Sequence, residues 1–229
     1  MDAPVVVMCT LGLRAVFARA EGEIARAAGR GLDLRFEASN GLMRRIAEGE
    51  PADLAIATQA AIAQLAAEGR IAPGTQVDLA LSRVGVAVRT GARKPDISTV
   101  EAFTRALREA GSVGYTRSGA SGLHFARVIA RLGLAEAVAR KAVVRDGFVG
   151  ELAARGEVEL AVQQLSELAA VDGVDIVGPI PEALQQVTTF SAAVLARAAA
   201  PAEAGAIIRY LASAAAAPAM RACGLEPAS

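Results

Sequence analysis

The stretch LDLRFEASNGLMRRIAEGEPADLAIATQAAIAQLAAEG, Leu32–Gly69, decides the fold. Leu32 to Glu37 alternates apolar and polar residues, the period of a half-buried strand, and Ala38-Ser39-Asn40-Gly41 reads as the loop that leaves it. The next segment, LMRRIAEG, has helical spacing and stops at Gly49. Leu54 to Ala57 is a second short apolar strand, and a helix follows from Gln59 to Gly69. Strands that alternate with helices through short Gly, Ser and Asn loops define βαβ units and a parallel sheet.

Working outward, the unit repeats. Val5 to Met8 is a continuous, mostly β-branched run, and a helical pattern from Leu13 to Ala28 ends at Gly29. Downstream, Val77 to Gly91 runs on with strand-like character and no helix inside it, which reads as a crossover into a second lobe. A second α/β set follows: a helix over Ser98 to Ala110, the strand Ser112 to Tyr115, a helix entered at Ser121, and a helix over Phe148 to Ala154. The strands ELAVQQ and VDIVGPI complete it. Val187 to Leu195 is a second long strand that returns the chain to the first lobe, where alanine-rich helices with Ile207, Ile208 and Leu211 on one face close the fold. The expected class is α/β, with two lobes joined by two crossover strands and a ligand cleft between them. Lobe one is 1–82 plus 192–229, and lobe two is 83–191.

Composition excludes several functions. Lysine plus arginine number 24 and aspartate plus glutamate number 24, so no broad basic face attracts nucleic acid. Cys9 and Cys223 lie near opposite ends, without a CxxC or Cys/His cluster, so two free, half-buried thiols are expected and neither a structural metal nor a cofactor is called for. Tryptophan is absent and aromatics make up 3%, which leaves carbohydrate platforms poorly supplied. No apolar run reaches the roughly 18 residues of a membrane span, so no direct membrane insertion is expected. No basic, apolar leader is seen: a native Met1 implies a cytoplasmic address, whereas a processed form implies the periplasm. GxSxG, HExxH and Walker patterns are absent, so hydrolase and nucleotide chemistry lack support.

In open α/β sheets ligands sit beyond the carboxyl ends of strands, where helix N-termini favour anions. In lobe one those edges carry Thr10 and Leu11, then Ser39 and Asn40, then Thr58. In lobe two they carry Arg117, Ser118 and Ser121, then Phe148, then Gln163 and Gln164. The segment GYTRSGASGLHFA, Gly114–Ala126, resembles an anion cradle or an ordinary strand-to-helix turn: its small residues let backbone approach, Ser121 can cap the helix, and Arg117 can pair with a carboxylate. His124, the only histidine, falls in the first turn, where the helix dipole favours the neutral ring; it is either a partly buried hydrogen-bonding residue or a base. Arg83 lies beside the crossover, Asp53 follows a proline turn and holds backbone at a strand start, and at most one of Arg44 and Arg45 faces the cleft.

Four stretches, VVVMCTLGLRAVFARAEGEI, the Leu32–Thr58 succession, GYTRSGASGLHFARVIARLGL and VGELAARGEVELAVQQLSEL, resemble in order the motifs of molybdate-binding-like bacterial solute-binding proteins. The resemblance spans nearly the whole chain and implies the type II periplasmic binding fold, which closes two lobes over an oxyanion or small carboxylate. It places ligand contacts at Ser39 or Asn40 and along Ser118 to Ser121. It also puts Thr10 or Leu11 where the family has a serine, and Gln164 where it has a tyrosine. With Arg117 and His124 nearby, those departures favour an organic di- or tricarboxylate over tetrahedral molybdate.

Two readings follow. In one, the chain is a monomeric solute-binding protein that hands a small anion to a membrane transporter permease. In the other, implied by a branch of the family that includes aconitate isomerases, it shifts a double bond within a tricarboxylate. His124 is then the base, and Ser39, Arg117, Ser118 and Ser121 hold carboxylates.

Overall fold

The computed structural model describes residues 3–228, which divide into two compact units. One runs to Ser82 and resumes at Thr188; the other is Arg83–Val187.

The first unit opens with β1 (Val5–Thr10) and a 3-10 turn at Leu11–Leu13 that leads into α1 (Arg14–Ala28). Then come β2 (Leu32–Glu37), α2 (Ser39–Ala47), β3 (Leu54–Thr58), α3 (Gln59–Ala67) and β4 (Val77–Ser82). In the second unit the order is β5 (Val84–Arg89), α4 (Val100–Glu109), β6 (Val113–Thr116), α5 (Ala120–Arg131), α6 (Ala135–Ala139), β7 (Ala142–Arg145), α7 (Gly150–Ala154), β8 (Leu160–Gln164), α8 (Leu165–Leu168) and β9 (Val174–Pro179). The chain re-enters the first unit through β10 (Thr188–Val194), α9 (Pro201–Leu211), α10 (Ala217–Ala222) and β11 (Glu226–Pro227).

The sheet of the first unit has the order β11-β4-β10-β3-β1-β2, with β1 parallel to β2 and β3 and β10 antiparallel to β3 and β4. That of the second has the order β7-β6-β8-β5-β9, with β6 parallel to β7 and β8 and β5 antiparallel to β8 and β9. Strand alternation divides the cores. Val5, Val7 and Cys9 of β1 pack with Phe17 and Ile24 of α1 and Ile207 of α9, whereas Met8 faces the Leu42 and Ile62 side. In the second unit Leu160 and Val162 of β8 join Phe103 and Phe125, while Ala161 joins Leu152 and Leu168.

Three expectations change. The extended run from Val77 to Gly91 is two strands, because β4 finds its partners in one sheet and β5 in the other, with Arg83 between them. The crossings are therefore short connections and not long shared strands. The second falls at Val187/Thr188, four residues before the expected boundary, since the whole of β10 pairs within the first sheet. Finally, Ser39-Asn40-Gly41 is the first turn of α2 and not a loop.

Asp53 stitches the first unit together. Its carboxylate accepts the N–H groups of Val6 (2.8 Å), Ala199 (2.7 Å) and Ala200 (2.9 Å), joining the start of β1 to the entry of α9. Arg44 and Arg45 both turn toward Glu37, at 3.6 and 3.5 Å, and Arg45 also binds Glu50 at 2.5 Å. Hydrogen bonds from Arg45, reinforced by Arg35, hold the Glu50 carboxyl down at about 2. Cys9 and Cys223 are free, as expected, but fully buried, and burial pushes both thiols up. Arg83 pairs with Glu182 at 2.7 Å.

Candidate functional site

In the first unit the carboxyl ends of β1, β2 and β3 converge through one hydroxyl. Ser39 Oγ donates to Thr10 Oγ1 across a long 3.5 Å contact and accepts the Thr58 N–H at 3.2 Å. Thr10 is buried and Ser39 half-buried, and Asn40 stands exposed beside them in the first turn of α2. Thr58 caps α3 by accepting the Ala61 N–H at 3.4 Å. Leu11 opens the 3-10 turn, whose Gly12 lies flat against the Phe190 ring: a Cβ there would stand 2.5 Å from the ring. Thr10, Ser39 and Thr58 are thus brought together, with the starts of α2 and α3 directed at the same strand ends. Nearby, Asp78 accepts from Gln59 (2.9 Å) and from the buried Ser191 (2.5 Å), a network not singled out in the sequence.

In the second unit the loop after β6 winds tightly into α5. Gly119 is the N-cap, so Ser121 is not the capping residue; it lies one position inside the helix and is buried. The loop depends on Gly122, since a Cβ there would stand 1.8 Å from the Thr116 carbonyl oxygen and 2.5 Å from its hydroxyl. Thr116 is buried under this turn with its Oγ1 lacking a hydrogen-bond partner.

Ser118 is engaged from an unexpected quarter. Asp146, just after β7, accepts both the Ser118 N–H (3.2 Å) and its hydroxyl (2.7 Å) through one carboxylate oxygen. Arg117 is exposed and leans along β7, donating to the Val144 carbonyl at 3.3 Å. His124 lies just past the first turn of α5, with Nε2 2.7 Å from the Leu184 carbonyl. A carbonyl only accepts, so that nitrogen carries a proton and Nδ1 alone is left for base chemistry.

The glutamines also differ from expectation. Gln163 is buried and its amide is fully used: Oε1 accepts the Val149 N–H (2.8 Å) and Nε2 donates to the Gly147 carbonyl (2.9 Å), which fixes the loop carrying the buried Phe148. Gln163 is a support of that loop and not a displayed donor. Gln164, equally buried, is the N-cap of α8. Glu167 in the same helix accepts hydrogen bonds from the Gln163 side chain and the Gln164 N–H, yet burial outweighs them and pushes its carboxyl up to about 7. Neither Asp146 nor Glu167 was singled out in the sequence. The available signal was position: Asp146 directly follows β7, and Glu167 falls in the short helix that leaves β8. Among the described residues no group of three His, Cys, Asp or Glu could hold a metal ion, and no helix is long and apolar enough to cross a membrane.

Strand ends of this kind, furnished with hydroxyls and helix starts in each of two α/β units, define a solute-receptor fold. The family model described as bacterial extracellular solute-binding protein matches residues 5–226, and the chain belongs to that family. It is 43% identical over 185 residues to an aconitate isomerase from Pseudomonas sp., a match covering 80% of this chain and 70% of that protein. Its fold is that of type II periplasmic binding proteins. The periplasmic molybdate-binding protein of Azotobacter vinelandii superposes with a TM-score of 0.83 over 98% of this chain and 100% of that one, at 16% identity. The sulfate-binding protein SubI of Mycobacterium tuberculosis gives 0.70 over 100% and 88%, at 18% identity.

Proposed function

We propose that this chain binds a small organic anion, a di- or tricarboxylate, at strand-end hydroxyls and a helix start of the kind found around Ser118. The observation that carries the reading is the Asp146 carboxylate on Ser118: the loop ahead of α5 already presents an N–H and an O–H to a carboxylate of the chain itself. A ligand carboxylate takes over those two donors, with Arg117 close by as a planar, charged partner. Ser39 and Thr10 offer hydroxyls of the same kind in the first unit. The carrier role of the family supports a membrane permease as partner and an extracytoplasmic place of work, and we propose that the receptor is a monomer.

A second reading is favoured by the identity to aconitate isomerase: the bound tricarboxylate undergoes an allylic proton shift. That chemistry needs a base beside a carboxylate and donors for the developing enolate. The hydroxyls supply donors, and His124 supplies a base only through Nδ1.

Thermal-shift measurements with molybdate, sulfate, citrate, and cis- and trans-aconitate test the first reading. A rise in Tm with the carboxylates supports it, and a rise with molybdate alone overturns it. Incubation with cis-aconitate followed by chromatography tests the second, which fails if purified protein forms no trans isomer.

A further inference from the structure

The second unit holds a cavity of about 570 Å³ at the end of its sheet away from the Ser118 loop. Leu160, where β8 begins, lies in its wall, whereas Gln164, where β8 ends, belongs to the candidate anion edge. The strand spans about 13 Å between them. The floor of the cavity is apolar: Val88, Ala106, Val158 and Leu160 are buried there. Its rim is charged. Arg89 comes from the end of β5, Arg93 from the loop that follows and Arg105 from α4; all are exposed, and none of the three guanidiniums makes a hydrogen bond or ion pair with a described residue. Arg105 acts on Asp96 through its charge alone. The loop that carries Arg93 is pinned. Gly91 donates its N–H to Asp175 at 3.1 Å, Lys94 Nζ donates to the Ile176 carbonyl at 3.0 Å, and Asp96 Oδ1 accepts the Ser98 N–H (2.9 Å) and hydroxyl (2.7 Å) just before Thr99 caps α4. Carboxylates face the same space. Asp96 is engaged by Ser98, and Glu159 Oε2 accepts the Gly111 N–H at 2.7 Å, while Glu109 accepts no hydrogen bond from a described residue.

Three guanidiniums and three carboxylates give the rim no net charge, so a plain anion is attracted by one set and repelled by the other. A molecule that carries both charges is attracted by both. Its carboxylate meets the planar, bidentate guanidiniums, its ammonium meets Glu109, and apolar side chains cover the floor. Spacing selects the length of that molecule. Arg105 and Glu109 stand one turn apart on α4, a rise of about 6 Å, and the charged ends of an extended dipeptide lie about 7 Å apart. The two charges of a single amino acid are too close together to reach both. The volume falls inside the range of roughly 300–1,000 Å³ that small-molecule sites occupy. We infer that this cavity is a second ligand site, which takes a short apolar peptide with free amino and carboxyl ends. It lies apart from the anion edge and does not depend on the anion-binding reading.

The test is isothermal titration calorimetry with leucyl-leucine as probe, on wild type, Arg105→Gln and Glu109→Gln. N-acetyl-leucyl-leucine, which keeps only the carboxylate, and leucyl-leucine amide, which keeps only the ammonium, are titrated alongside. Both substituted positions are exposed on α4, and circular dichroism melting verifies the fold of each variant. Wild type is expected to bind leucyl-leucine with a Kd of about 1 mM or tighter. Each single-charge probe and each variant weakens that binding roughly tenfold, the effect of losing one hydrogen-bonded charge. The losses are also matched: the acetylated probe binds wild type and Glu109→Gln equally, because the ammonium that Glu109 holds is gone. Absence of binding by wild type overturns the inference. So does binding of leucyl-leucine that both folded variants retain in full, which places the peptide elsewhere. An acetylated probe that binds wild type as well as leucyl-leucine does overturns the assignment to a doubly charged ligand. None of these outcomes touches the anion-binding reading, which stands or falls on the thermal-shift panel.

Discussion

Replacing Gly122 by alanine is the sharpest probe of the loop ahead of α5. The added methyl carbon would sit 1.8 Å from the Thr116 carbonyl oxygen and 2.6 Å from its carbonyl carbon, both backbone atoms that no rotamer change can move. Real Cβ contacts essentially never fall below 3.0 Å, so the end of β6 and the start of α5 must separate by roughly 1 Å. Overpacking of this kind costs about 1–3 kcal/mol of stability. The functional loss is of comparable size, because a displacement of about 1 Å at a positioned site weakens it by up to roughly 100-fold, about 2.7 kcal/mol. Urea denaturation followed by far-ultraviolet circular dichroism gives the stability change, and titration with the best carboxylate from the thermal-shift panel gives the affinity. The neighbouring Gly133, with open space around its Cβ position but a positive φ of 67°, is the control: its alanine variant strains backbone without touching the loop and leaves affinity unchanged. A Gly122→Ala protein with wild-type stability and affinity would refute the argument.

Asp53→Ala leaves three backbone N–H groups without their acceptor and is expected to lower stability by about 3–5 kcal/mol in urea titration; a change below about 1 kcal/mol would remove its stitching role. Asp146→Ala releases the Ser118 N–H and hydroxyl to an external anion and removes a like charge, so carboxylate affinity is expected to rise roughly five- to tenfold by calorimetry, and a fall would show that Asp146 supports the site instead of competing for it. Glu167 also predicts a stability profile. Its folded value near 7 lies above the ordinary 4.5, so its contribution is full below about 4.5 and is lost as pH rises through about 7. Glu167→Gln should therefore melt higher relative to wild type at pH 8 than at pH 5, and a pH-independent difference in Tm would contradict that sign.

Much of the architecture was legible because each strand announces itself by period. Val5, Val7 and Cys9 face one way and Met8 the other, and the sheet uses that alternation directly. Helix ends were equally plain where glycine takes a left-handed conformation, as at Gly29 with φ 68°. The break at Arg83 was not legible, because two consecutive strands of similar composition differ only in which distant strands they meet. The strand ends bearing Thr10, Ser39 and Ser118 followed from the rule that loops leaving parallel strands face ligands. What each side chain does there did not follow. Gln163 and His124 look like donors in a sequence, but each is engaged by backbone 14 to 60 residues away. Asp146 meets Ser118 across 28 residues, through the pairing of β6 with β7.

The place of β10 in the middle of the first sheet governs the order in which the polypeptide is completed on the ribosome. Until Thr188–Val194 emerges, β3 and β4 have no strand between them, and the amino-terminal segments present bare edges. The continuous stretch Arg83–Val187 is fully synthesised before that strand and contains every partner it needs. The later part of the chain thus matures before the earlier part, and a nascent protein stalled short of residue 188 carries one finished body behind an amino-terminal half in need of chaperones.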